Sequence, residues 1–246
     1  MKLKGKVAVI TGGTRGIGKG IALEFATEGA VLVLNYLRDD ISANGTLKEI
    51  EAMGGCCILA KGDISNYTYT KALIADTINS LGKIDILVNN AAISRVGLFM
   101  DETEESYNEI MDINFKSVFN TCNCVIGHMQ SRREGSIINI SSVWGNVGAS
   151  CEVLYSASKG AMNSFTKALG KETAPNGVRV NGIAPGVIDT EMNRWMTLSE
   201  REALNEEIPI GRFGHCFEIG RAAVFLASEE SSYITGEILN VNGGFN

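Results

Sequence analysis

Proline is scarce in this chain, three residues in 246, and aromatic residues reach only 7%. With 45% apolar residues alongside, that scarcity excludes a long proline-rich or disordered tract and describes a globular domain with a full core. A basic excess is missing as well. Lys and Arg total 22 against 28 Asp and Glu, the formal net charge is −6, and the two signs are interspersed. Nothing there supports binding to nucleic acid, and no charged tail stands out. No apolar run approaches the roughly 20 residues that cross a bilayer, so no membrane partner is expected. No signal-peptide pattern precedes the first apolar run at Val7, so a cytoplasmic protein is expected. Six cysteines, at 56, 57, 122, 124, 151 and 216, form no disulfide framework. Cys122, Cys124 and His128 fall in one helical stretch, but positions 122 and 124 diverge by about 200° around a helix, so no metal is expected there. His128 and His215, the two histidines, have no catalytic constellation around them.

What is present is a glycine-rich turn. Val7-Ala8-Val9-Ile10 runs into Thr11-Gly12-Gly13-Thr14-Arg15-Gly16-Ile17-Gly18, and an amphipathic stretch follows. That order reads as a buried strand, a tight turn and a helix N-terminus. Glycines at 12, 16 and 18 let a phosphate approach without a Cβ in the way, and the helix start turns free N–H groups and a positive dipole end toward it. The spacing, Gly-x-x-x-Gly-x-Gly, differs from the Gly-x-Gly-x-x-Gly fingerprint, but the strand–turn–helix context is that of a dinucleotide site.

Short apolar runs then alternate with helical patterns along the chain. Strands are expected at 7–10, 30–35, 56–60, 84–89, 136–141, 178–183 and 237–241. Helices are expected at 17–28, 40–53, 67–80, 103–132, 153–173 and 217–228. This is an α/β pattern: a single-domain Rossmann fold over 1–246, with a seven-stranded, doubly wound parallel sheet and helices on both faces. Ligands of such sheets lie beyond the C-terminal strand ends. After the second strand come Asn35, Tyr36, Leu37 and Arg38, with no carboxylate before Asp39. Arg15 and Arg38 suit the 2′-phosphate of NADPH better than the free ribose of NADH; their alternative is a pair of solvated surface charges. After the third strand, Asp63, followed by Ile64, offers a carboxylate to the adenine amino group. After the fourth, Asn89-Asn90-Ala91-Ala92 lets backbone approach the cofactor ribose, although both asparagines also suit ties between strands, and Asn90 is read as structural.

The fifth strand ends at Ser141-Ser142, and Tyr155 and Lys159 follow four residues apart on one helical face. An ammonium beside a phenol favours the phenolate, so Tyr155 can exchange a proton with a carbonyl or alcohol oxygen. Ser142 would donate to that same oxygen. Asn114 is placed to hold a water in a proton relay beside Lys159.

Taken together, Thr11-Gly12-x-x-x-Gly16-x-Gly18, Asp63, Asn89-Asn90-Ala91-Ala92, Asn114, Ser142, Tyr155, Lys159, and Pro185-Gly186 with Thr190 make the whole chain resemble the short-chain dehydrogenases/reductases. The resemblance implies a catalytic group of Asn114, Ser142, Tyr155 and Lys159. It also implies a cofactor-binding set: Gly12, Thr14, Arg15, Gly16, Ile17 and Gly18 in the turn, then Asn35, Arg38, Asp63, Ile64, Asn89 and Ala91. Tyr155 and Lys159 join that set, Lys159 on the nicotinamide ribose. So do Pro185, Gly186, Ile188 and Thr190, the last two on the carboxamide. Ala92 stands where the family often has glycine.

Within the family the chain is most similar to the beta-ketoacyl-acyl-carrier-protein reductases, through Tyr233-Ile234-Thr235-Gly236 and Val241-Asn242-Gly243-Gly244. That likeness implies NADP(H), a ketone or acyl-thioester substrate in fatty acid biosynthesis, and a homotetramer. It also implies docking of acyl carrier protein, through Arg132 and Arg133. Asn176 replaces an arginine often found in these reductases, and the basic pair equally suits a helix C-terminus. Other ketones, sugar or steroid alcohols, or a non-catalytic NADPH sensor are the alternatives. A substrate lid is expected at about 186–212, with a capping box at Ser199 and Glu202 starting a short helix. Met192, Trp195, Met196 and Leu198, together with Trp144, Val147, Cys151 and Val153, either line an acyl pocket or pack into the core or a subunit contact.

Overall fold

The computed structural model describes residues 1–193 and 196–245, the side chain of Met192 excepted. In chain order the elements are β1 (Val7–Thr11), α1 (Gly16–Thr27), β2 (Val31–Tyr36), α2 (Asp40–Ala52), β3 (Cys56–Lys61), α3 (Tyr67–Leu81), β4 (Ile86–Asn89) and α4 (Glu104–Met111). Then follow α5 (Ser117–Arg132), β5 (Gly135–Ile140), α6 (Trp144–Val147), α7 (Val153–Thr173), β6 (Val178–Pro185), α8 (Leu198–Glu207), α9 (Cys216–Ala227) and β7 (Ile238–Val241).

The seven strands form one parallel sheet in the order β3-β2-β1-β4-β5-β6-β7. The chain starts at the centre, winds outward to β3, and returns to β4 on the other side of β1. Period-2 alternation divides the core between the two faces. Ala8, Ile10, Leu32, Leu34, Val88 and Ile138 pack with Ile21 and Phe25 of α1 and Ile219 and Ala223 of α9. Val9, Val33, Leu87, Ile137 and Val180 pack on the opposite side, with Leu73 of α3, Val125 and Met129 of α5 and Met162 of α7. This is the doubly wound sheet the alternating pattern implies.

Helix starts follow local side-chain chemistry. Asp39, Asn66 and Thr103 each accept a first-turn backbone N–H, so α2, α3 and α4 begin where a cap is available. Two expectations need correction. The helix expected at 103–132 is two helices joined through a π-turn at Asp112–Lys116, where the Ser117 N–H donates to the carbonyl of Asp112. One residue more per turn breaks the 3.6 period without any proline or glycine to mark it. The lid helix is capped by Thr197 and Glu200, not by Ser199 and Glu202, because it begins at Leu198.

Candidate active site

Parallel register brings the C-terminal ends of the central strands to one edge. Thr11 stands beside Asn35, Asn35 beside Ala60, and Asn89 beside Asn139. At this edge the glycine turn is held by side chains of the neighbouring strand ends. Thr11 Oγ1 accepts from the backbone N–H of Asn90 at 2.9 Å and of Ala91 at 3.0 Å. Asn90 Nδ2 donates back to the carbonyls of Thr11 and Gly12, both at 3.0 Å. Asn90 is therefore a brace on the turn, in keeping with its structural reading. Gly12 and Gly16 take φ of 59° and 52°, where other residues are strained. A Cβ on Gly18 would lie 2.1 Å from the Gly12 carbonyl oxygen.

Helix α1 starts at Gly16 with no side-chain cap and no acidic residue in its first turn. Its free N–H groups and dipole end, at the edge where the glycines leave backbone bare, form a site that fits a dinucleotide pyrophosphate. Thr190 closes over this turn, its methyl 3.7 Å from where a Gly16 Cβ would be. Arg15 pairs with Glu191 at 3.3 Å, both side chains exposed, and Arg201 pairs with Asp189 at 2.7 Å. Ile188 is buried, and Pro185 and Gly186 pack where β6 passes β7: a Gly186 Cβ would meet the Asn242 backbone at 2.8 Å.

The other candidates have these partners. Asn35 commits its amide to the neighbouring strand end: Nδ2 donates to the carbonyls of Ala60 at 3.2 Å and Gly62 at 3.0 Å. Asn89 is buried, donating to Asn139 Oδ1 at 2.8 Å and accepting from the Thr121 hydroxyl at 2.7 Å. Both side chains tie strands and helices together, and only their backbone atoms are left for a cofactor. Thr14 is buried, its carbonyl accepting from Thr46 Oγ1 at 2.8 Å, and the Ile64 carbonyl is taken by Thr70 at 2.9 Å. Asp63 is exposed and accepts from the Ser65 N–H and hydroxyl. Arg38 is exposed and makes no ion pair among the described residues. Asp39, the acidic residue closest after β2, is committed to Ser42, whose hydroxyl and N–H hold its carboxyl below the usual carboxylate range.

At the end of β5, Ser142, Tyr155 and Lys159 converge. Ser142 is 8% exposed and its hydroxyl oxygen accepts from the Trp144 N–H at 3.2 Å. Lys159 is 1% exposed; its Nζ donates to the Ile140 carbonyl at 2.8 Å and lies 5.6 Å from the centroid of the Tyr155 ring. Burial lowers the Lys159 pKa to about 7 and raises that of Tyr155 to about 12; for Tyr155, a hydrogen bond with Ser142 works against the rise and the charge of Glu152 adds to it. Burial thus works against the phenolate that a neighbouring ammonium favours, and the half-buried Tyr155 is held in its protonated form. The π-turn carries Asn114 into the interior. There its Oδ1 accepts from the Ile93 N–H at 2.9 Å, and its Nδ2 donates to the Ile93 carbonyl at 2.9 Å and the Ser158 hydroxyl at 3.1 Å. The side chain braces the loop after β4 against α7, with both of its donor bonds going to protein groups.

The eight apolar residues considered for an acyl pocket separate. Trp144 and Met196 pack with Val143, Ile208, Phe213 and Phe245 in a small core under α8, the rings of Trp144 and Phe245 meeting edge-on at 5.5 Å. Val147, Val153 and Leu198 are exposed and Cys151 is half-buried. Trp195 and the Met192 side chain lie outside the described residues. Of the basic pair at the end of α5, Arg132 is engaged by Asp85 at 2.8 Å, whereas Arg133 is exposed, its guanidinium donating to the Pro175 carbonyl at 3.2 Å and pairing with no carboxylate among the described residues. His128 Nε2 accepts from the Ile84 N–H at 3.2 Å and Cys122 is buried in the core; among the described residues no group of three or more His, Cys, Asp and Glu is placed to hold a metal. No helix among those residues is long and apolar enough to cross a membrane. Sequence reasoning missed the Thr11 hydroxyl and the Glu152–Ser94 hydrogen bond. A threonine closing β1 just before the turn was the available signal for the first; the second joins residues 58 apart and had none.

A doubly wound sheet, a bare glycine turn at an uncapped helix and a Ser–Tyr–Lys cluster, its serine and lysine buried and its tyrosine half-buried, define an oxidoreductase of the dinucleotide-binding class. The chain belongs to the short-chain dehydrogenase/reductase family. The family model described as enoyl-(acyl carrier protein) reductase matches residues 12–246. A 3-oxoacyl-[acyl-carrier-protein] reductase from Thermotoga maritima is 38% identical over 244 residues, covering 99% of both chains. Its counterpart from Chlamydia muridarum is 39% identical over 98% of both. Among solved structures, a dehydrogenase/reductase from Sinorhizobium meliloti superposes with a TM-score of 0.93 at 34% identity, covering 99% of this chain and 96% of that one.

Proposed function

We propose that this protein uses NADPH to reduce the ketone of a 3-oxoacyl thioester to a secondary alcohol. The observation that carries the reading is the convergence of Ser142, Tyr155 and Lys159 at the β5 end, beside the glycine turn. When bound, the dinucleotide would supply the hydride to the carbonyl carbon. Ser142 donates a hydrogen bond to the carbonyl oxygen and orients it. Tyr155, held protonated, delivers the proton to that oxygen as it gains charge. Lys159, fixed by Ile140, supplies positive charge to the phenolate that remains, and Asn114 keeps the π-turn and α7 in register. Gly12, Gly16 and Gly18 admit the pyrophosphate, and Arg15 and Arg38 receive the 2′-phosphate, with Asp39 committed to the α2 cap and so withdrawn as a ribose ligand.

Residues 1–246 act as one catalytic domain with a lid at about 186–212. The names of the relatives support acyl carrier protein as the substrate carrier, and on this reading the reaction serves fatty acid biosynthesis in the cytoplasm. Arg133, rather than Arg132, is the basic residue available for that acidic partner. Exposed Leu98, Phe99 and Met100 on the loop before α4, with Phe119 of α5, support a homotetramer. The test is a panel of 3-oxo thioesters, other ketones and alcohols with both cofactors. Tyr155→Phe is expected to bind NADPH like the wild type and to lose turnover by at least about a hundredfold, the size of a general-acid contribution. Turnover retained in that variant, or greater activity with NADH, overturns the corresponding half of the proposal.

A further inference from the structure

Glu152 stands at the start of α7, three residues before Tyr155. A side-chain acceptor at that position ordinarily receives first-turn N–H groups. Glu152 makes no such bond; its Oε1 accepts from the hydroxyl of Ser94, on the loop after β4. Cys151 precedes it at φ 63°, and the Cys151 carbonyl accepts from the Gly97 N–H at 2.8 Å, so the same two segments are joined twice. The carboxylate therefore bridges two loops at the strand edge where Ser142 and Tyr155 meet. It is half-buried, and its charge adds to the upward push that burial gives the Tyr155 phenol. Two cations are near in the chain: Lys159, buried and 5.6 Å from the tyrosine ring, and Arg95, exposed and without an ion pair among the described residues. Water and salt screen a solvated guanidinium almost fully and a half-buried carboxylate only in part, so the field of Glu152 persists at low salt and weakens as salt rises.

We propose that Glu152 is a specificity-determining carboxylate, selecting 3-oxo thioesters and esters, whose acyl group is neutral, against free 3-oxo acids. The inference rests on the reductase reading above. A 3-oxo acid carries its own carboxylate two carbons from the reacting carbonyl, and Glu152 repels it by the like-charge rule that suppresses wrong partners.

The test compares kcat/KM for ethyl 3-oxobutanoate and 3-oxobutanoate with NADPH. In the wild type the ester is favoured, and the preference shrinks as salt rises from about 0.01 to 1 M. Glu152→Gln raises the acid-to-ester ratio about tenfold, what one charge contributes at roughly 10 Å through an effective dielectric of about 20. Glu152→Asp, which keeps the charge, stays within about twofold of the wild-type ratio. A ratio indifferent to salt and to Glu152→Gln, or relaxed equally by Glu152→Asp, overturns the charge-selection proposal and leaves the reductase reading standing. Failure of the wild type to reduce either compound overturns both.

Discussion

Replacing Lys159 with methionine is expected to stabilise the protein while abolishing its turnover. The ammonium is 1% exposed, its acceptor is the Ile140 carbonyl, and burial lowers its pKa from 10.5 to about 7. Below about pH 7 the lysine is protonated in both folded and unfolded chains, and the folded state carries the full cost of a buried charge. Between about pH 7 and 10.5 the unfolded chain holds a proton that the folded chain does not, so stability rises with pH across that window and levels off above it. At ~1.4 kcal/mol per pH unit the window amounts to about 5 kcal/mol, nearly all of it opposing folding at pH 7. Methionine fills a similar volume without charge. It leaves the Ile140 carbonyl without its donor, which costs about 1–3 kcal/mol. The net gain at pH 7 is about 2 kcal/mol, a rise in Tm of roughly 4–8 °C for a chain of this size. Urea unfolding at pH 7 and pH 10, without added dinucleotide, measures it, and the difference between variant and wild type cancels the other groups that titrate there. That difference is expected to favour the variant at pH 7 and to reverse by pH 10. A variant less stable than wild type at pH 7, or a difference that does not change with pH, would refute the reasoning.

Two further outcomes follow from the same packing. Gly18→Ala places a methyl 2.1 Å from the Gly12 carbonyl oxygen and 2.6 Å from Asn90 Nδ2. The turn must shift by about 1 Å, and NADPH affinity measured by fluorescence titration is expected to fall about 100-fold; an unchanged Kd would contradict the tight crossing at the turn. Asp85 is 2% exposed and accepts from the Val7 N–H at 2.8 Å, Arg132 at 2.8 Å and Lys83 at 2.9 Å. Burial pushes its pKa up, but Arg132, the Val7 N–H and Lys83 together outweigh burial and lower it. Its contribution to stability is therefore complete above the usual carboxylate pKa near ~4 and is lost as the pH falls through the lower folded value. Asp85→Asn is expected to cost about 2 kcal/mol at pH 7, less than a fully buried pair because Arg132 is 25% exposed and Lys83 34%. In denaturant titrations the gap from wild type should narrow below about pH 4; a gap that widens on acidification argues against the pairing.

Legibility in the sequence tracked how local the cause was. Helix α7 runs from 153 to 173, the bounds its own periodicity implies, because its buried residues, Leu154, Ser158, Lys159, Met162, Asn163, Thr166, Gly170 and Thr173, return to one face at three- and four-residue spacings. The strands were legible from their branched apolar runs, although β4 begins at Ile86 rather than 84, where the His128 ring has taken the Ile84 N–H. The π-turn at Asp112–Lys116 was not legible. An inserted residue in a helix leaves no compositional mark, and Asn114 owes its burial to Ile93 and Ser158, which are distant in the chain.

Sequence alone determined the order of strands and helices, the glycine turn and the presence of Tyr155 and Lys159 on one helical face, because each depends on neighbours within a few residues. Only the tertiary structure decided which polar side chains are available to a ligand. Asn35 and Asn89 stand among the cofactor-binding candidates at strand ends, and pairing with Ala60, Gly62 and Asn139 across the sheet commits their side chains to ties, a role the sequence left open for Asn89. The protonation of the Tyr155–Lys159 pair was decided in the same way: four-residue spacing puts the charges together, but the dryness of the site, set by every element packed around it, opposes both charged forms.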